Sequence, residues 1–387
     1  MQYHRVFLSF LILLSLANPV AAMESTKKGL SSIWNALAAG TLLSREQKWD
    51  AFVQDCEKYN KNFFVPQKSP DVLRIGTYNL HCLVDPYSNK DPNSTANIAN
   101  VIKGLDADVL LLQEMGGLNG SFNRSHDKDF HMDKALEKMG YAFEPIKTWK
   151  MYNGFGNVFC TKKNFPMTSV VKKIFDANFA KPDNDDEKRG FVGGHFVWNG
   201  KKVAAYTLHL DVWDQSEKTR VEQVKELIAF IKKEHEQNPD ITYIVGGDFN
   251  AVRKQDYDYQ ASGKKVWDLL VEDDLARKIE TKEDVAKLFE KEKDWLVNVY
   301  DVLADQAPGF TSCFGKVIDY SYYTPGAGLT PKKIYADYTT VKSEKVDPKT
   351  GKGTGKIYTT TPSDHLAIVV DFKDTKPPLY CPVALCL

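Results

Sequence analysis

ITYIVGGDFNA, residues Ile241–Ala251, is the stretch from which the architecture of this chain can be read. Ile241, Thr242, Tyr243, Ile244 and Val245 are β-branched or aromatic and predict a buried strand. Gly246 and Gly247 are expected to stop it and let the backbone turn. Asp248 and Asn250 then fall just beyond the strand's C-terminal end, where α/β architectures expose their reactive groups. Strand side chains alternate. If extended geometry persists, Asp248 and Asn250 share one space and Phe249 is turned away. A carboxylate beside an amide can orient a water and donate to the oxyanion it attacks. By itself GDFN also describes an Asx-rich turn, so the rest of the chain has to discriminate.

The chain has 387 residues, enough for one large domain or two ordinary ones. Its 43% hydrophobic and 26% charged content is that of a soluble globular protein. Lys+Arg and Asp+Glu both total 51, so no global field selects nucleic acid or an anionic membrane as partner. At the N-terminus Arg5 precedes an apolar run, Val6–Leu16, and Val20 and Ala22 are small residues suited to cleavage. That layout predicts a signal peptide over residues 1–22 and a secreted or periplasmic protein. The apolar run is shorter than the ~20 residues of a bilayer span, and no transmembrane segment is expected after cleavage. Six cysteines form no zinc-ligand spacing. Cys381 and Cys386 close a short loop and can pair; Cys82, Cys160 and Cys313 lie in or beside apolar runs and are expected to be buried. Asn93, Asn119 and Asn123 each head a glycosylation triplet.

Residues 23–70 carry two amphipathic helical patterns, Leu30/Ile33/Trp34/Leu37 and Trp49/Phe52/Val53/Cys56, and predict an N-terminal helical arm. The main domain, residues 71–373, opens with the strand Val72–Leu80, then a helix stripe at Ile98, Val101, Ile102 and Leu105, then the strand Asp108–Met115. Further strands are expected at Phe155–Thr161, Gly190–Trp198 and Val203–Leu210, followed by a helix bearing Val221, Val224, Ile228 and Ile231. Tyr257–Asp301 is charged, helical in pattern and free of motifs. Lys316–Thr324 reads as a strand, Pro325–Gly355 as a long loop or hairpin, and Leu366–Phe372 as the last strand, with a tail at 374–387.

Polar residues fall repeatedly at the ends of these apolar strands: Asn79, Glu114, His209, Asp248 with Asn250, Asp319, and Asp364 with His365. Carboxylates and an amide make an oxygen-rich site of the kind Mg²⁺ or Mn²⁺ prefers. Two histidines beside them can act as acid, base or phosphate ligand. Such a set suits metal-assisted attack of water on a phosphodiester.

The motifs TYNL, LLQEM, GFGNVF, YTLHL, GGDFN, IDYSYYT and SDHLAIV occur in an order that resembles the endonuclease/exonuclease/phosphatase superfamily. That is the fold of pancreatic-type deoxyribonuclease, abasic-site endonucleases, neutral sphingomyelinases and inositol polyphosphate 5-phosphatases. The resemblance spans about Val72–Asp371 and implies a four-layer α/β sandwich with two central mixed sheets. It implies Glu114 as ligand of a divalent metal, helped by Asn79, with Asp364 at the metal or a second metal site. It implies Asp248 as the group that orients or deprotonates water, and Asn250 as a phosphate-oxygen ligand. His365, polarised by Asp319, would bind the scissile phosphate and take part in proton transfer. His209 falls where the deoxyribonuclease and sphingomyelinase branches carry histidine, which argues against the repair branch.

The expectation is an exported, metal-dependent phosphodiester hydrolase acting on nucleic acid or, alternatively, on a phospholipid headgroup or inositol phosphate. A catalytically silent binding module on the same fold remains the alternative of a different class, and no protein partner is inferred. Lys147, Lys150, Lys162, Lys163 and Arg189 are candidates for the basic lining a nuclease needs. No aromatic-tipped hairpin suited to membrane insertion stands out. His81, His126, His131, His195 and His235 are read as structural or exposed, and Tyr320, Tyr322 and Tyr323 as packing residues.

Overall fold

A computed structural model describes residues 64–83, 93–116, 131–148, 156–179, 187–214, 216–253, 284–312, 316–347, 350 and 352–375. The signal segment, most of the N-terminal arm, Cys313, Cys381, Cys386, Asn119, Asn123, His126, Lys150 and most of the charged Tyr257–Asp301 stretch lie outside the described residues.

Two six-stranded sheets form the centre. Their strands are β1 (Val72–Asn79), β2 (Val109–Met115), β3 (Tyr141–Lys147), β4 (Gly156–Lys162), β5 (Thr168–Ile174), β6 (Gly190–Trp198), β7 (Lys201–His209), β8 (Thr242–Asp248), β9 (Val297–Asn298), β10 (Asp319–Tyr323), β11 (Leu329–Asp337) and β14 (Ala367–Asp374). A separate hairpin pairs β12 (Val341–Val346) with β13 (Gly353–Thr360). The first sheet runs β11-β14-β1-β2-β4-β3 and the second β5-β6-β7-β8-β10-β9. Among the described residues only β1/β2 and β7/β8 pair in parallel. Each parallel pair is joined by a crossover helix, α1 (Ser94–Leu105) and α3 (Lys218–Gln237), as parallel pairing requires. Between them come α2 (Met132–Lys138) and, later, α4 (Asp284–Lys291).

Period-2 alternation distributes β2 over two cores. Val109 and Leu111 belong to the core that includes the second sheet, while Leu110 and Leu112 pack with Ile98, Val101, Ile102 and Leu105 of α1 and with Met132 and Leu136 of α2. On the far side, Tyr206 of β7 meets Phe230 of α3 edge-on at 5.5 Å, and the Tyr243 hydroxyl donates to the Glu234 carbonyl at 2.8 Å. The order helix, sheet, sheet, helix is the expected four-layer sandwich. Each fully buried Leu or Val contributes about 1.5–3 kcal/mol, which is why continuous apolar runs make the central strands.

The glycines of GGDFN act differently from the expectation. β8 continues through Gly246 and Gly247 to Asp248. A Cβ on Gly246 would lie 2.8 Å from Leu111 Cδ1, so this residue lets the two sheets approach. Gly247 has φ +154°, and a Cβ there would lie 2.0 Å from the Leu208 carbonyl oxygen. Pro325–Gly355 is not simply a loop or hairpin, because β11 first adds an edge strand to the first sheet before the β12–β13 hairpin forms. β3 and β5 were not anticipated. Both are sheet edges whose residues are mostly half-buried or exposed, and β3 contains Pro145, which edge strands tolerate.

Candidate active site

The register of the second sheet places His209, Asp248 and Asp319 side by side on three neighbouring strands. Thr207, two residues before His209, bonds Gln113 of β2, so this row faces the first sheet. Asn79 ends β1 and pairs in register with Gln113. Alternation alone would aim Glu114 away from Gln113 and toward the helices. Instead Glu114 has φ +51°, and the β2/β4 register shifts between Leu112 and Met115. This irregularity brings its carboxylate round to the row, a common use of a bulge beside a site.

Asp248 is the hub. Its Oδ2 accepts from Asn79 Nδ2 at 3.0 Å and lies 3.4 Å from His209 Nε2 and 3.7 Å from His365 Nε2, while its Oδ1 accepts the Asn250 backbone N–H at 2.9 Å. Asn79 Nδ2 also reaches Glu114 Oε1 at 3.2 Å, and Glu114 Oε2 lies 3.2 Å from Cys82 Sγ. His365 stands just before β14, where its N–H meets Ser363 Oγ at 3.2 Å; that hydroxyl donates to the Asn79 carbonyl at 2.7 Å. His365 Nδ1 lies 2.9 Å from Asp319 Oδ2, and Asp364 Oδ1 lies 4.0 Å from His365 Nε2. On the other side, His209 Nδ1 lies 2.8 Å from Arg189 Nη1.

Electrostatics separates these groups. Burial, with Asp319 adding to it, pushes Asp248 up to about 7 against the opposing pull of His365 and two hydrogen bonds. Burial disfavours the charged form of His365, but Asp319, Asp364 and Asp248 overcome it and hold its pKa well above the usual imidazole value. Burial lowers that of His209, and Arg189 and His365 lower it further.

The sequence-predicted residues Asn79, Glu114, His209, Asp248, Asp319, Asp364 and His365 therefore converge. Asn250 departs from the geometry expected of it. β8 ends at Asp248 and Asn250 has φ +46°, so strand alternation does not carry through. Its Nδ2 donates to the Leu210 carbonyl at 3.0 Å. Phe249 is buried against Phe289 and Tyr320, and Tyr322 stacks on Phe289 at 4.1 Å, as expected of packing residues. His81 was read as structural or exposed, yet its Nε2 lies 3.7 Å from Asp364 Oδ2 at the site's rim. Cys82 and Cys160 are buried, as expected. The proposed basic lining is largely elsewhere. Arg189 is buried, and Lys162 and Lys163 adjoin Thr161, which pairs with Val109 at the opposite end of β2. Lys147, opposite Gly156, is at the site's end.

A cation is compatible with this donor set. One atom each of Asp248, Asp319 and His365 lie within 4.8 Å of one another, and Asp319 Oδ1 is buried without a hydrogen-bond partner. Glu114 and Asp248 both aim oxygens at a single amide. Oxygen donors with an imidazole beside them match hard divalent ions. Asn79 turns its NH₂ to the carboxylates while its Oδ1 accepts from the His81 N–H at 3.0 Å, so offering oxygen to a cation requires an amide flip.

The model of the Endonuclease/Exonuclease/phosphatase family matches residues 76–365. The chain belongs to this family. Its members are phosphoric-ester hydrolases, and this chain is an enzyme of that class. Among solved structures, the human Nocturnin catalytic domain with bound sulfate is 19% identical, with 79% of this chain and 95% of that chain covered and a TM-score of 0.53. It supports the fold. Two further endonuclease/exonuclease/phosphatase structures are Danio rerio TDP2 complexed with single-strand DNA product and the Bacteroides thetaiotaomicron mannosyl-6-phosphatase. TDP2 is 15% identical, covers 78% of this chain and 99% of its own, and has a TM-score of 0.47. The phosphatase is 17% identical, covers 78% and 99%, and has a TM-score of 0.45. No curated protein matches the chain.

Proposed function

We propose that the chain is an exported, divalent-metal-dependent phosphodiesterase, nuclease-like in substrate. The observation that carries the chemistry is the buried Asp319–His365 pair, whose outer nitrogen faces Asp248 at 3.7 Å. A carboxylate behind an imidazole favours its charged form and fixes its orientation. In this reading His365 holds a non-bridging oxygen of the scissile phosphate and supplies a proton from Nε2 to the departing oxygen. Asp248 orients the attacking water and accepts its proton. Asn250 offers the second hydrogen of its amide to a phosphate oxygen, the first being held by Leu210. Glu114, with Asn79 and with Asp364 nearby, would hold Mg²⁺ or Mn²⁺, which supplies charge neutralisation at the phosphate when bound.

Lys147 at the site's end favours a polyanion, and the absence of an aromatic-tipped hairpin in the sequence disfavours a lipid surface. Phospholipid headgroups and inositol phosphates remain the alternatives to be tested. Among the described residues no helix is long and apolar enough to cross a membrane. Purified protein is to be assayed on DNA, RNA, sphingomyelin and inositol phosphates, each with Mg²⁺ and with EDTA. Metal-dependent cleavage of DNA or RNA alone supports the nuclease reading; release of phosphocholine or inorganic phosphate instead selects an alternative. No hydrolysis of any of these substrates overturns the phosphodiesterase reading. Export is tested by the N-terminal sequence of protein recovered outside the cytoplasm, expected to begin just after Ala22.

A further inference from the structure

The two imidazoles of the site have opposite partners. His365 Nδ1 meets a carboxylate, whereas His209 Nδ1 meets the Arg189 guanidinium at 2.8 Å. A guanidinium only donates, so this contact is a hydrogen bond only if His209 Nδ1 presents its lone pair. The ring proton then sits on Nε2, which faces Asp248 Oδ2 at 3.4 Å and Glu114 Oε1 at 3.9 Å.

We propose that Arg189, braced by Glu187, is a positioning residue that fixes His209 as an Nε2–H hydrogen-bond donor directed into the site. The inference rests on the phosphodiesterase reading for its catalytic consequence, though not for its geometry. Arg189 Nη2 lies 2.5 Å from Glu187 Oε1, and Glu187 Oε2 accepts from Trp213 Nε1 at 3.0 Å. The Arg189 backbone N–H donates to Asn178 Oδ1 at 2.6 Å. The next residue, Gly190, pairs in register with His209 and is tied to the first sheet by Asn157 Nδ2 on its carbonyl at 2.9 Å. Arg189 is thus held from both of its ends beside the imidazole.

Burying a cation against histidine is a poor stability device, because the two repel whenever the ring is charged. Arg189 also leaves its Nε buried without a hydrogen-bond partner, a cost stability alone does not explain. The arrangement makes sense as orientation. A neutral Nε2–H can donate to a phosphate oxygen, while proton transfer is left to Asp248 and His365.

The test is ¹⁵N NMR of the full-length protein labelled at its eight histidines, with His209→Gln identifying the His209 signals. The expected wild-type pattern at neutral pH is a protonated Nε2 and an unprotonated Nδ1. A doubly protonated ring, or a proton on Nδ1, overturns the proposal. Arg189→Met should erase the fixed tautomer and lower kcat on bis(p-nitrophenyl) phosphate by roughly 10–100-fold, with KM changed less than about twofold. Arg189→Lys, which retains a donor, should recover part of the loss. An unchanged spectrum and rate in a folded Arg189→Met protein also overturns it. Should that variant not fold, the wild-type spectrum decides. If wild-type protein hydrolyses no phosphodiester, the functional reading fails while the spectrum still judges the tautomer.

Discussion

Asp319 stands directly opposite Asp248 in the β8–β10 ladder, so two buried carboxylates share one row at the strand ends of the second sheet. Their partners differ. Asp319 Oδ2 is engaged with His365 Nδ1, whereas Asp248 faces the outer nitrogens of both His365 and His209. One acid therefore serves an imidazole, and the other is positioned to meet a reacting group.

His365 and Asp319 should behave as a unit. His365→Ala is expected to lower kcat by roughly 10² or more, the scale of positioned acid–base groups. Asp319→Asn removes only the charge behind the ring and should lose less. The double variant should then resemble His365→Ala alone. Steady-state kinetics on a model phosphodiester measures all three, and fully additive losses would contradict the pairing.

Glu114→Gln keeps the side chain's size and one oxygen to accept from Asn79 but removes a charge. It should weaken Mg²⁺ binding by at least about tenfold, since hard cations are selected by anionic oxygen. Isothermal titration of the metal-free protein reads this without catalysis. Equal affinity in variant and wild type would move the metal site toward Asp248 and Asp319.

Which residues gather at the site was legible because each ends an apolar strand, and strand ends are where a sandwich opens. Their orientation was not legible. Alternation placed Asn250 beside Asp248, but a left-handed φ at Asn250 turns its amide to Leu210. The bulge that re-aims Glu114 has no signature in LLLQEM. Arg189 illustrates a further limit. Its charge suggested a substrate groove, and only the register of Gly190 with His209 shows it buried against an imidazole. The edge strands β3 and β5 escaped because edges bury too little to enforce a pattern. The conformation of Gly247, by contrast, explains a residue already singled out. Gly247→Ala should destabilise the fold by more than about 2 kcal/mol, read as a lower urea midpoint. A wild-type midpoint would mean the backbone relaxes there.

Asp214 organises the start of α3. Its Oδ1 takes the Ser216 N–H and hydroxyl at 2.8 and 2.6 Å, and its Oδ2 takes the Thr219 N–H and hydroxyl, both at 2.8 Å. Burial pushes its pKa up, but these donors, the Ser216 hydroxyl foremost, overcome that and hold it well below the usual carboxylate value. A depressed carboxyl stabilises the fold above its unfolded-state pKa, and the contribution is lost as pH falls. Asp214→Ala should therefore cost about 1 kcal/mol at neutral pH, with the gap narrowing below about pH 4. Urea midpoints of both proteins at pH 7 and pH 3 give the comparison; an equal gap at both would remove the charge from the explanation.

Asp248 carries the opposite sign. Burial, reinforced by Asp319, raises it to about 7, so the metal-free fold prefers this carboxyl protonated. A raised carboxyl costs stability progressively as pH climbs from the unfolded-state value, about 4, to the folded one, and the cost then levels off. Asn mimics the protonated form, retaining an oxygen for the backbone N–H of Asn250. Asp248→Asn should consequently raise the Tm of the metal-free protein. The gain should grow between about pH 4 and pH 7 and stay constant above. The same variant should lose turnover, because the group that accepts the proton from water is gone, and it should show a smaller rise in Tm on adding Mg²⁺ than wild type. Thermal unfolding in EDTA across that pH range is the measurement. A variant less stable than wild type at pH 8 would mean that the contacts of the ionised carboxylate with Asn79, His209 and His365 outweigh the cost of burying it, and that this residue was kept for the fold as much as for the reaction.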